Sequence, residues 1–246
     1  MIIASLYSKP VNKYIAFTHR QKNNGYSAFA EYPLSRLPTP SDRCHNRNFL
    51  NYFLMSTRPI AEGVIGEPRL VIVNKGEINN IGPSDVDPRL GGSALLGNGV
   101  YSLTAASLAL GTDVVRTEGC GVFMDNGIDG AASFTLIYGN NTMAHLSSSL
   151  IANEHNAWYV CGSKGIMEIR GVSRLLTIDI YNNKRELVKH YDAPKMISGY
   201  EYELLACKKA LEEGRLECSE IPHAETLRIM KLLDELRSKI GITFPQ

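Results

Sequence analysis

No charge of one sign dominates this sequence: 26 basic side chains stand against 25 acidic ones, for a formal net charge of +1. That balance gives no global attraction to nucleic acid or to acidic lipid. Cysteine is sparse too. The five cysteines (Cys44, Cys120, Cys161, Cys207, Cys218) are odd in number and widely spread, and no two have C-x-x-C spacing. Neither a zinc site nor a disulfide framework is indicated, and they read as small half-buried side chains in a reducing compartment. No run reaches the roughly 20 apolar residues of a membrane span. The opening Met1-Ile-Ile-Ala-Ser-Leu-Tyr7 is too short for a signal peptide and has no basic flank. A soluble cytoplasmic protein with no nucleic-acid or membrane partner is expected. Familiar catalytic signatures are missing as well: there is no G-x-S-x-G elbow and no P-loop. The six histidines, His145, His155 and His223 among them, form no H-x-x-x-H or His–carboxylate cluster.

What is present is an ordinary globular composition, 44% hydrophobic and 21% charged over 246 residues, enough for one large domain or two small ones. Residues 1–54 read as an irregular segment, partly disordered. His19-Arg-Gln-Lys-Asn-Asn-Gly25 is polar, Pro33, Pro38 and Pro40 punctuate the next stretch, and Ser41 to Asn48 has no periodicity. From about residue 55 the pattern strengthens. Ala61 to Gly66 reads as a helix end and a glycine turn, and Pro68-Arg-Leu-Val-Ile-Val-Asn74 as a strand. Ser93 to Leu110, rich in alanine and leucine and closed by Gly111, reads as a buried helix. Strands come next at Ala131–Tyr138 and Thr142–Leu150, flanking the turn Gly139-Asn-Asn141, then at Ala157–Cys161, Ile166–Ile169, Leu175–Tyr181 and Arg185–His190. Two helices close the chain. Tyr200, Leu204, Cys207 and Leu211 share a face of the first; Ile229, Leu233, Leu236 and Ile240 form a stripe on the second. A strand meander covered by helices is an α+β layer architecture.

Gly97-Asn-Gly99-Val-Tyr-Ser102 places Gly, Gly and Ser where a dinucleotide fingerprint has its glycines, with Glu118 about 20 residues beyond. That fingerprint needs a buried strand before it, and here only Ser93-Ala-Leu-Leu96 precedes, directly after Gly91-Gly92. One continuous helical or turn segment is the better reading.

Several segments in order carry a resemblance. They are Glu62-Gly-Val-Ile-Gly66-Glu-Pro-Arg69; Arg89-Leu-Gly-Gly-Ser-Ala-Leu-Leu96 with Gly99-Val-Tyr101; Gly162-Ser-Lys-Gly165; Tyr200-Glu-Tyr-Glu203; Gly214-x-x-Glu217-Cys-x-x-Ile-Pro222; and Ile240-Gly-Ile-Thr-Phe-Pro-Gln246. Together they resemble the C-terminal domain of the Gfo/Idh/MocA oxidoreductases, in the branch of dimeric dihydrodiol dehydrogenase and NADP-dependent D-xylose dehydrogenase. The resemblance implies an open, mostly antiparallel sheet over 55–246, covered on one face by helices, whose open face makes a homodimer. It also implies NADP as cofactor, held by an N-terminal Rossmann domain, and a sugar or diol as substrate.

In that family a Lys from E-K-P, an Asp and a Tyr or His from D-x-G-x-[YH] handle the substrate hydroxyl, because hydride loss from a carbinol needs a group to accept the hydroxyl proton. Here Tyr101 matches the Tyr/His position, with an interface-packed helix tyrosine as its other reading. Gly97 occupies the Asp position, and glycine carries no charge. Ser8-Lys9-Pro10 stands for E-K-P, with Lys9 as the lysine and Ser8 in place of Glu. Only seven residues precede it, so no Rossmann domain is expected, NADP is not expected to bind this chain alone, and the uncovered helix face favours self-association. Two readings remain: an oxidoreductase-family domain without its nucleotide half, or a non-catalytic derivative kept for dimerisation or ligand binding.

Overall fold

The computed structural model describes residues 3–9, 12–20, 26–33, 59–79, 81–173, 175–193, 201–218 and 222–244. The chain divides into two units, residues 1–47 and 48–246. In the first, β1 (Ile3–Lys9), β2 (Asn12–Arg20) and β3 (Tyr26–Pro33) make an antiparallel three-stranded sheet in chain order. The described residues of this segment are strands. The reason is local: Tyr14-Ile-Ala-Phe-Thr18 and the stretch Tyr26 to Tyr32 are rich in strand-favouring aromatic or β-branched residues, and Asn23-Asn-Gly25 has hairpin chemistry. Pro33 ends a strand rather than breaking one. The stretch 34–58, with Pro38, Pro40 and the aperiodic Ser41 to Asn48, lies outside the described residues.

The second unit is built on β4 (Pro68–Gly76), β5 (Val114–Phe123), β6 (Asp129–Tyr138), β7 (Met143–Ser149), β8 (Ala157–Gly162), β9 (Gly165–Arg170), β10 (Thr177–Asn182) and β11 (Leu187–Asp192). They form one eight-stranded sheet in the order β11-β10-β9-β8-β4-β7-β6-β5. Every pairing is antiparallel except that of β4 with β7. Helices among the described residues include α1 (Val100–Leu110), which continues a wide π turn at Leu95–Gly99, α2 (Glu201–Glu212) and α3 (His223–Ile240). The expected open, mostly antiparallel α+β sheet is therefore the observed one.

Strand alternation sorts the two faces. Val71 and Val73 of β4 are fully buried, while Leu70, Ile72 and Asn74 between them are half-buried on the opposite face. α1 lies across β4 and β7, and α3 across β5. Leu103 and Ala106 of α1, Leu146 of β7, Phe134 and Leu136 of β6, and Leu233 and Leu236 of α3 belong to the same core. Each fully buried leucine contributes about 2 kcal/mol. Gly111 and Gly241, both at positive φ, end α1 and α3.

The stretch Pro88–Leu110 passes as a membrane span by length and composition, which qualifies the sequence expectation. In the fold it is interrupted at Gly91, which is left-handed, and it buries Leu95, Leu103 and Ala106 in the core.

β5 had no recognisable sequence signature, because Gly119 and Gly121 break its pattern. Packing explains both glycines. A Cβ on Gly119 would stand 3.0 Å from Ile240 Cγ1, and one on Gly121 2.8 Å from Ile240 Cγ2. The glycines let α3 settle directly on the strand. The segment Gly162-Ser-Lys-Gly165 has a similar structural role. Ser163 N–H donates to the Glu67 carbonyl, Glu67 N–H to Ser163 Oγ and Lys164 N–H to the Ile65 carbonyl, so this hairpin clasps the turn before β4.

Tyr138 is 1% exposed, and its buried hydroxyl has no hydrogen-bond partner among the described residues. Burial pushes its phenol up to about 12. A raised folded-state value means a contribution present below the unfolded value of about 10 and lost as pH climbs from there to about 12. Tyr138→Phe should therefore unfold in urea at the same or a higher midpoint near neutral pH, by up to about 1 kcal/mol. Near pH 11 it should be distinctly more stable than the parent.

Candidate active site

The start of the α1 segment is fixed from three sides. Asp129 Oδ2, at the head of β6, accepts Leu95 N–H at 2.7 Å, and Ser93 Oγ accepts Leu96 N–H at 3.1 Å. These satisfy amides that a helix N-terminus otherwise leaves without acceptors. Asn98 Nδ2 then donates to the Ser149 carbonyl at 3.0 Å, and Ser102 Oγ to the Ser147 carbonyl at 3.3 Å, which ties the same segment to β7. Burial raises the Asp129 carboxyl above its ordinary range, while hydrogen bonds from Ser93 and from the Leu95 and Ala94 amides pull it the other way.

Within this segment the π turn, a feature common at functional sites, holds two glycines for opposite reasons. A Cβ on Gly99 would lie 3.1 Å from Leu95 Cδ1 and 3.3 Å from Phe134 Cζ, so close packing of the turn on β6 favours glycine there. At Gly97 a Cβ would meet nothing within 4 Å. The fold does not require glycine at 97, and a longer side chain has room.

Tyr101 follows one turn later and is 44% exposed. Beneath it is a residue that sequence reasoning passed over. Lys75 ends the row Val71, Val73, Lys75 on the core-facing side of β4 and is only 4% exposed. Its Nζ lies 5.9 Å from the Tyr101 ring centroid and 2.6 Å from Glu77 Oε1. Asn156 supports the pair, donating from Nδ2 to Glu77 Oε1 at 3.3 Å while its Oδ1 accepts Gly76 N–H at 3.1 Å. A buried ammonium needs such a counter-charge. The available signal was a lysine on the buried register of an otherwise apolar strand.

The structure thus brings Gly97 and Tyr101 together and adds Lys75 and Glu77. Lys9 closes β1 in the other unit. The run Gly97 to Ser102 is helical throughout, with no strand before it. Glu118 lies on β5 paired with Arg116. None of these described residues makes the strand, glycine turn and helix that hold a dinucleotide pyrophosphate. His145 is exposed, its Nδ1 3.3 Å from Thr135 Oγ1, and no described group of His, Cys, Asp and Glu side chains has metal-binding geometry. What the arrangement offers chemically is an exposed phenol beside a desolvated cation.

Residues 56–168, which contain β4, α1 and this site, match the GFO/IDH/MocA C-terminal domain. The sheet unit of this chain resembles that domain over these residues. Sequence relatives of the domain include trans-1,2-dihydrobenzene-1,2-diol dehydrogenase of Xenopus tropicalis, 28% identical over 193 residues, and that of Mus musculus, 26% identical over 197. In each, the match covers 76% of this chain and 58% of the relative, so the chain spans less than two thirds of their length. The Gfo/Idh/MocA fold recurs in solved structures. An aldose-aldose oxidoreductase from Caulobacter crescentus complexed with glycerol superposes with a TM-score of 0.67 at 19% identity, over 80% of this chain and 60% of that one. A 3-ketoreductase from Actinomadura kijaniata in complex with TDP-benzene and NADP gives 0.65 at 21% identity, over 79% and 60%.

Because Asp129 fixes the start of the helix that presents Tyr101, its removal should be felt in stability. Asp129→Ala should lower unfolding stability by about 1–2 kcal/mol, the usual cost of a lost cap. Asp129→Asn keeps an acceptor for Leu95 N–H and sheds a charge that burial disfavours, so it should retain most of the parent's stability in urea unfolding.

Proposed function

We propose that this Gfo/Idh/MocA domain is the substrate side of an NADP-linked oxidoreductase acting on a sugar or a dihydrodiol, with Tyr101 facing the substrate. The observation that carries the reading is Tyr101 itself, exposed two residues after a π turn and beside buried Lys75. The names of the sequence relatives support the substrate class, and the NADP complex of the Actinomadura kijaniata enzyme supports the cofactor. We expect that the chain by itself does not bind NADP. We place it in the cytosol, a reducing compartment in which any disulfide is reversible.

A second reading, a non-catalytic domain kept for ligand binding or dimerisation, is favoured by Gly97, where the resemblance calls for a carboxylate. Titrating the purified chain with NADPH and following fluorescence tests the non-catalytic reading. The proposal expects no saturation up to about 1 mM for the chain alone. Saturable micromolar binding would overturn both that expectation and the non-catalytic reading. Gly97→Asp should fold normally, given the open space at 97, and remain inactive as an isolated chain.

The face of the sheet opposite α1 supports homodimerisation. Ile72 lies on the central strand β4, in register with Tyr159 of β8 and His145 of β7. Half-buried Leu70, Met143 and Ile137 continue the apolar surface on the same face. Sedimentation should report a dimer, and Ile72→Glu should shift it to monomer; a monomeric parent would sink the dimer.

A further inference from the structure

We propose that Cys207 and Cys218 are a reversible disulfide site that staples the end of α2 to the connection leading into α3. Their Sγ atoms lie 4.0 Å apart, and neither cysteine is disulfide-bonded in this structure. The sequence separation of 11 residues conceals the approach, because a chain reversal intervenes. Gly214 takes a left-handed conformation with φ 67. Gly214 N–H donates to the Leu211 carbonyl at 3.1 Å and Arg215 N–H to the Ala210 carbonyl at 2.8 Å. The backbone therefore holds the thiols together before any bond forms, and closing to a disulfide needs the sulfurs to move by only about 2 Å.

Both cysteines are half-buried, so a small reagent has access. Charges nearby are already matched: Lys208 pairs with Glu212, and Arg215 with Glu213. The other described cysteines sit on the sheet and cannot pair with each other. Cys120 is on β5 and Cys161 on β8, with β6, β7 and β4 between them, a separation of about 19 Å at the usual strand spacing.

The oxidant is a low-molecular-weight disulfide such as oxidised glutathione. The thiolate of one cysteine attacks a sulfur of that disulfide, forming a mixed disulfide and releasing one small thiolate. The second protein thiolate then attacks the protein sulfur of the mixed disulfide and expels the other small thiolate. Two protein thiols are oxidised, one small disulfide is reduced to two thiols, and the two protons leave with those thiols. The site sits where a staple bears on the rest of the domain. α3 beyond it packs on β5, and its Arg228 guanidinium donates to Ser107 Oγ of α1, the helix that carries Tyr101.

The test treats the reduced, folded chain with oxidised glutathione and maps its tryptic peptides without reduction. Peptides 196–208 and 216–228 should appear as one linked species, about 2 Da lighter than their sum. Two of the five thiols should disappear from a thiol count, and dithiothreitol should restore them. Cys218→Ser should abolish the link and leave Cys207 as a stable glutathione adduct. Glutathione on both cysteines of the parent with no link between them would overturn the proposal, as would a link joining other cysteines. If Cys218→Ser fails to fold, Cys207→Ser supplies the same control, and the peptide map of the parent decides alone.

Discussion

The position of one strand governs both faces of this domain's sheet. β4 comes first in the chain among the sheet strands of its unit, yet it sits between β7 and β8, parallel to one and antiparallel to the other. Its alternate side chains therefore serve opposite surfaces from the middle of the sheet. Val71 and Val73 form the floor on which α1 rests, and Lys75 continues that row to the point where the helix begins. Ile72, one residue out of phase, stands at the centre of the other face. A shift of one residue in the pairing of β4 would exchange these roles: it would bury Ile72 and bring Lys75 out from beneath Tyr101.

The rigidity of the site comes from how few of its polar groups are left to solvent. A carboxylate from β6, two hydroxyls and an amide hold the first turns of the α1 segment, and each bonds a backbone group that would otherwise be costly to bury. The segment then presents a tyrosine at the surface above a buried, counter-charged lysine. Gly97 is the soft point. The space beside it is open, and the fold itself makes no use of it.

Much of this was legible along the chain. β4 and β6 to β11 announced themselves by β-branched runs and Asn/Gly turns, and α3 by its stripe of Ile229, Leu233 and Leu236. What escaped notice did so for physical reasons. β1 to β3 were hidden by the polar stretch from His19 to Gly25 and by Pro33, which ends a strand rather than interrupting one. β5 was hidden by Gly119 and Gly121, whose purpose is a contact with Ile240 more than a hundred residues later. Lys75 was overlooked because an alternating strand does not say which of its faces is covered.

By itself, then, the sequence determined the class of the fold, the limits of most elements, the family resemblance and the pairing of Gly97 with Tyr101 on one helical turn. These come from local propensity and from spacing, which neighbouring residues settle among themselves. Only the tertiary structure decided that β4 enters between β7 and β8, that Lys75 and Glu77 lie beneath Tyr101, and that Cys207 meets Cys218. Each of those depends on long-range packing or on a chain reversal, and no periodicity along the chain encodes which distant surfaces will meet.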